Sequence, residues 1–141
     1  MNSPTDSTPA LRQGLSGYLR AVAEEVGVPR EGTSFEVSDT ATAYLALAGR
    51  WHERADQDLM LVWSERHGWV LAVETDPAEP ALVVDYLGGN DLVPTPAEVG
   101  RFVTEVVAGL RRHQGDRPVF PIVDTRHDLA ERLAAYVIWD E

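Results

Sequence analysis

The stretch that decides the fold is residues 58–89, DLMLVWSERHGWVLAVETDPAEPALVVDYLGG. It contains three short apolar runs of strand length, separated by the turn-rich segments 64–68 and 75–80. Alternating apolar residues bounded by turn residues are typical of β-strands. Gly68 supplies the positive φ that a tight hairpin requires. The pattern predicts an antiparallel meander around which the rest of the chain is arranged.

The segment before the meander begins with a helix. Leucine, valine and tyrosine recur at helical spacing over residues 9–26, and Gly27 with Pro29 favours a stop there. Residues 33–37 alternate weakly and predict an edge strand. Residues 41–48, ATAYLALA, predict another strand by length and alternation, and the polar residues 49–57 predict a long loop.

Two helices follow the meander. Thr95-Pro96-Ala97-Glu98 forms a capping box in front of an apolar stripe, which predicts a helix to about residue 113. Residues 116–123 contain two prolines and predict an extended linker or edge strand. A third helix begins at a capping signature around Asp124, and its apolar stripe includes Leu129, Leu133, Tyr136 and Val137.

These elements predict an α+β fold. An antiparallel meander sheet of four or five strands carries one N-terminal helix and two C-terminal helices packed on it. Residues 1–8 are expected to form a disordered tail, and residues 9–141 a single domain.

Composition narrows the classes of partner. The formal net charge is −11, with 23 acidic against 12 basic residues, so no nucleic-acid partner is expected. The chain has no cysteine, no secretory signal and no apolar run of membrane-spanning length. We therefore expect a cytoplasmic protein without a membrane partner, whose binding partner is neutral or basic.

No assembled catalytic chemistry is visible. His52, Glu53 and Asp56 superficially suggest a metal site, but the second histidine of a zincin motif is replaced by Asp56. No nucleophile elbow or glycine-rich phosphate loop occurs. The sequence predicts no catalytic residue, no metal and no cofactor, and hence not an enzyme. An enzyme acting through these three residues would require them to converge around a cleft.

The meander is apolar on both faces. Met60, Val62, Val70, Ala72 and Val83 are expected to point away from Leu61, Trp69 and Val84. A second apolar face is typical of burial by helices, a partner or a ligand. The favoured hypothesis is a non-catalytic protein-interaction or regulatory module that binds a protein partner or forms a homodimer through this face. The alternative is a small-molecule binding domain whose pocket between sheet and helices is lined by Tyr44, Trp63, Trp69 and Tyr86.

Several sequence blocks also resemble a known family. The blocks are GLSGYLRAVAEEVGV, ATAYLALAGR, DLMLVWSERHGWVLAVE, DYLGG and PTPAEVGRFVTEVV. They are similar to a family of small uncharacterised actinobacterial proteins described only as a domain of unknown function. The likeness covers about residues 14–110. It implies one recurring intracellular domain, and no activity, cofactor or site residue.

Overall fold

The computed structural model describes residues 8–51, 54–74, 82–88, 92–109 and 125–136, with side chains at all of these except 8, 48–51, 54–57, 82 and 125–127. The helices are α1 (Thr8–Val26), α2 (Pro96–Val107) and α3 (Thr125–Leu133). The strands are β1 (Thr33–Val37), β2 (Ala41–Trp51), β3 (Arg54–Ser64), β4 (Gly68–Val73) and β5 (Leu82–Tyr86). Short 3-10 turns lie at Arg30–Gly32 and Ala134–Tyr136.

The five strands form one antiparallel sheet in the order β1-β2-β3-β4-β5. Each strand pairs with the next one along the chain, as the meander pattern predicts. Gly68, which closes the turn between β3 and β4, has a φ of 70°. The predicted α+β class, with one helix before the sheet and two after it, is confirmed. The division into a tail and a single domain stays a prediction, and residues 1–7 lie outside the described residues.

The loop predicted for residues 49–57 is wrong. β2 runs to Trp51 and β3 starts at Arg54, so seven of these nine residues lie in strands. Pairing continues through Arg50 with Asp58 and Trp51 with Arg54, after register shifts that bulge the ladder. Backbone hydrogen bonds hold this extension, and they require no apolar side chains. The polar composition of residues 49–57 therefore led to the wrong prediction of a loop.

One face of the sheet, the inner face, carries the hydrophobic core. Leu45, Leu61, Trp63, Trp69 and Leu71 are all buried there. All three helices supply side chains to the same core; they include Leu11, Leu15, Tyr18, Val22, Val99, Phe102, Val106, Leu129 and Leu133. Burying large apolar residues of this kind stabilises a fold by about 1.5–3 kcal/mol each. The opposite side of the sheet is called the outer face below.

Thr95 caps α2 as predicted, but the helix is shorter than predicted. The backbone N–H of Glu98 donates to the Thr95 hydroxyl at 3.2 Å, and Pro96 occupies the first helical turn. The helix ends at Val107 rather than near residue 113. Gly109 follows with a φ of 76°, a left-handed conformation that ends helices. Residues 110–124, which include the predicted Pro-containing linker, lie outside the described part of the chain.

Candidate functional site

The outer face presents two apolar rows that cross four strands. Strand register places Tyr44, Val62, Val70 and Tyr86 in one row. The second row consists of Ala46, Met60, Ala72 and Val83. These eight residues are called the outer-face cluster. All five residues of the predicted interaction face belong to it.

Polar residues border the outer-face cluster on both sides along the strands. Thr42 and Ser64 form a pair at one end. At the other end, the backbone N–H of Glu74 donates to the Asp58 carbonyl at 2.8 Å, which sets two carboxylates side by side. Glu36 pairs with Thr42 and extends the row of Thr42 and Ser64 onto β1. The surface is therefore an apolar centre with two carboxylates at one end and a mixed border of hydroxyl groups and the Glu36 carboxylate at the other.

The cluster does not belong to the hydrophobic core. Met60, Val62 and Val70 are half-buried, yet none of them is among the residues that pack against the core below the helices. Val83 is 41% exposed, whereas Ala72 is 3% exposed. Among the described residues, the helix side chains that belong to the core pack on the inner face.

A bulge in β5 places two residues on faces that simple alternation does not predict. The register shifts between Leu71 and Ala72, so that Asp85 pairs with Leu71 and Val83 pairs with Ala72. Asp85 consequently points inward and is buried, while Tyr86 joins Val70 on the outer face. Strict alternation along β5 would place Val84 and Tyr86 together on the inner side, and the bulge is the reason that Tyr86 lies on the outer face instead.

Tyr44 is fixed across the cluster by a hydrogen bond. Its hydroxyl donates to the Glu74 carboxylate, and the two residues lie two strands apart, on β2 and just after β4. The side chain therefore has to cross the row that contains Met60 to reach its acceptor. Burial, the hydrogen bond from Tyr44 to Glu74, and the negative charges of Glu74 and Asp58 raise the pKa of Tyr44 from 10.0 to about 12.

This shift predicts a specific alkaline behaviour. Because the folded-state pKa is above the unfolded value, the stabilisation from the Tyr44 hydroxyl is complete below pH 10 and is lost between about pH 10 and 12. We expect Tyr44→Phe to cost about 1 kcal/mol at pH 8. The difference in unfolding free energy between the two proteins should shrink above pH 10. Urea unfolding from pH 8 to 11.5 measures it, and a difference that stays constant or grows contradicts the assignment.

The four residues of the predicted pocket do not come together. Tyr44 and Tyr86 lie on the outer face, whereas Trp63 and Trp69 are a cross-strand pair on the inner face. Both tryptophans are fully buried, and the indole Nε1 of Trp63 donates to the Leu92 carbonyl at 2.8 Å. The sheet lies between the two pairs, so they cannot line one cavity.

Two buried carboxylates have structural partners. Glu65 accepts a hydrogen bond from the backbone N–H of Ala41 at 2.7 Å, and its own N–H donates to the Ala41 carbonyl at 3.1 Å. Asp85 accepts from the N–H of Tyr86 at 2.8 Å. Burying a carboxylate requires such donors. Sequence reasoning missed both residues, because Glu65 lies in the polar turn after β3 and Asp85 interrupts the apolar pattern of β5 without a recognisable motif.

No metal-binding cluster of histidine and acidic residues occurs among the described residues. His52, Glu53 and the side chain of Asp56 lie outside that part of the chain, so the structure does not test the condition that such an enzyme would require, their convergence around a cleft. No helix among the residues described has the length and apolar character needed to cross a bilayer.

Comparison with known proteins identifies the family. A family of unknown function, DUF6292, matches residues 18–105, which is more than half of the chain. The chain belongs to the DUF6292 family. The match runs from α1 through the whole sheet into α2, so the outer-face cluster lies within the DUF6292 region, whereas the core also includes residues outside it, such as Leu11 and Leu133. The actinobacterial origin suggested by the resemblance stays a prediction. No curated protein and no solved structure matches the chain.

Proposed function

We propose that this protein is a non-catalytic cytoplasmic interaction module, and that its outer-face cluster is the surface on which a protein partner or a second copy docks. The observation that carries the proposal is the pair of apolar rows on the face opposite the helices. An antiparallel sheet with one solvated face normally presents polar residues there. Contiguous exposed apolar surface is characteristic of interaction sites.

The chemistry of the border indicates what kind of partner fits. Two rows on four strands cover roughly 250 Å², at about 4.8 Å between strands and 3.3 Å per residue. A stable complex buries about 800 Å² on each partner. The interface therefore has to extend beyond the apolar centre, to Asp58 and Glu74 at one end and to Thr42 and Ser64 at the other. A partner with an apolar centre and basic or neutral flanks is complementary to this surface.

The fixed position of Tyr44 supports the same interpretation. Its hydrogen bond to Glu74 holds the aromatic ring over the sheet before any partner arrives. Tyrosine is enriched at interfaces, because it offers a rigid apolar body with a polar tip. A side chain that is already ordered loses less entropy on association.

A sedimentation experiment tests the proposal. The chain has no cysteine, so Ala10→Cys on the exposed part of α1 gives a single labelling site. We expect the labelled protein, in an extract of its source cells, to sediment as a species larger than a monomer. Adding Val83→Glu should shift it to the monomer, because a carboxylate would be buried in an apolar interface.

The matched control is Ala97→Glu, which introduces the same charge at an exposed position of α2. This variant should sediment like the labelled parent. The proposal is contradicted if all three proteins sediment as monomers, or if the two glutamate variants behave alike.

A further inference from the structure

Among the described residues, β1 is an edge strand of the sheet, and one pair of hydrogen bonds in β2 shows in which direction its backbone groups point. The Ala41 N–H donates to the Glu65 side chain at 2.7 Å, and the Ala41 carbonyl accepts from the Glu65 N–H at 3.1 Å. The backbone groups of Ala41 therefore point toward β3. Because these groups alternate in direction along a strand, those of the next residue, Thr42, and of Tyr44 point toward β1.

This orientation determines which backbone groups of β1 remain on the outside. Ser34 and Glu36 lie opposite Tyr44 and Thr42, so they are the residues of β1 that bond to β2. The N–H and carbonyl groups of Phe35 and Val37 consequently point away from the sheet. Such a row of outward groups is a template for an added strand.

A groove runs beside this edge. It has a volume of about 590 Å³ and lies between α1 and β1. Leu19, Val28 and Phe35 supply apolar surface, and Ser16 and Ala23 line the helix side. Grooves between a helix and an edge strand accept extended peptides, since the edge supplies main-chain hydrogen bonds and the helix side supplies side-chain contacts.

The groove carries positive charge in a strongly acidic protein. Arg20 and Arg30 line it, and the guanidinium of Arg12 lies 5.6 Å from the centre of the Phe35 ring. Glu24 is the acidic residue of the lining, 3.8 Å from Arg20 in an exposed pair that contributes little binding energy of its own. The two arginines and one glutamate of the lining give the groove a net charge of +1, opposite in sign to the chain as a whole, at −11. The nearest carboxylate on β1 itself is that of Glu36, which pairs with Thr42 on the outer face.

The geometry points to a second site: the groove between α1 and β1 binds an extended acidic peptide segment of a partner protein, which pairs with β1 as a sixth strand. The acidic side chains of this segment contact Arg12, Arg20 and Arg30. A second copy of this chain fits less well, because a symmetric pairing of two β1 edges brings the same arginines together. The site is separate from the outer-face cluster, and neither proposal depends on the other.

Selection from a phage-displayed library of random octapeptides tests this inference. We expect the enriched peptides to be rich in Asp, Glu and β-branched residues and to lack proline in the centre. N-methylation along a selected peptide, read by fluorescence anisotropy, should weaken binding at every second position. That period is the signature of strand pairing, and uniform charge attraction does not produce it.

Charge reversal tests the location of the site. Arg20→Glu with Arg30→Glu should weaken binding of the selected peptide by about tenfold or more. Arg66→Glu with Arg101→Glu changes the net charge equally at exposed positions that do not line the groove, and should weaken it less than about threefold. The inference is overturned if no peptide is enriched, if N-methylation shows no two-residue period, or if the two double variants weaken binding equally.

Discussion

Tyr18→Phe is expected to lower the free energy of unfolding by about 2–4 kcal/mol, the largest effect that we predict for removal of a single atom. The Tyr18 hydroxyl accepts from the indole Nε1 of Trp69 at 3.0 Å and donates to the Pro94 carbonyl. Tyr18 and Trp69 are fully buried, so removal of the hydroxyl leaves a donor and an acceptor without this bond inside the core. Each such group costs about 1–3 kcal/mol.

Urea denaturation measures this effect, and two variants serve as controls. Tyr136→Phe removes a hydroxyl from a half-buried ring that contacts Tyr18, with 4.9 Å between ring centres, and should change stability by less than about 0.5 kcal/mol. In a Trp69→Phe background, Tyr18→Phe should cost less, because the indole donor is already absent. A Tyr18→Phe variant as stable as the parent would refute the role of this hydrogen-bonded chain.

Gly14→Ala is expected to destabilise the protein by about 1–3 kcal/mol, although alanine is the better helix former. A Cβ at Gly14 would lie 2.6 Å from the Cβ of Leu133 and 3.0 Å from its carbonyl oxygen. The obstacle includes backbone of α3, so a rotamer change cannot relieve it. Gly14 thus sets the close approach of α1 and α3.

Gly100→Ala is the matched test. A Cβ there would lie 2.7 Å from Cγ of Glu25, an exposed and flexible side chain that can move aside. We expect this variant to be neutral or more stable by up to about 1 kcal/mol, from helix propensity alone. Thermal or urea unfolding of Gly14→Ala and Gly100→Ala measures the change in stability that each substitution causes. Equal effects of the same sign at the two positions would contradict the packing argument.

The sequence allowed the meander and its inner face to be predicted because the physical signal there is local. Leu59, Leu61 and Trp63 alternate strictly, and Gly68 provides the turn that sets the register of the next strand. The helix cap at Thr95 is equally local. Each of these features depends on residues within a few positions of each other.

The parts that the sequence did not predict depend on longer-range or backbone effects. The bulge that turns Asp85 inward and Tyr86 outward is a single inserted residue in a ladder, which side-chain alternation cannot reveal. Gly14 packs against Leu133, which is more than a hundred residues away along the chain, and no local pattern indicates such a contact. Polar strand ends near Trp51 resemble a loop in composition.

The candidate site was predicted in part. The five predicted residues share one face: Met60, Val62, Val70 and Ala72 follow from period-two alternation within β3 and β4, and Val83 of β5 pairs with Ala72. Tyr44 and Ala46 could have been added by continuing the same alternation into β2. Tyr86 could not, because its side depends on the bulge.

Site-specific photo-cross-linking tests most directly whether the outer-face cluster is the docking surface. A benzophenone amino acid at position 83 should cross-link in the source cells to a defined protein or to a second copy, and Val70→Glu should abolish that adduct. The same cross-linker at position 97, on exposed α2, should give no such adduct. Equal yields at the two positions, or no adduct at position 83, would contradict the account.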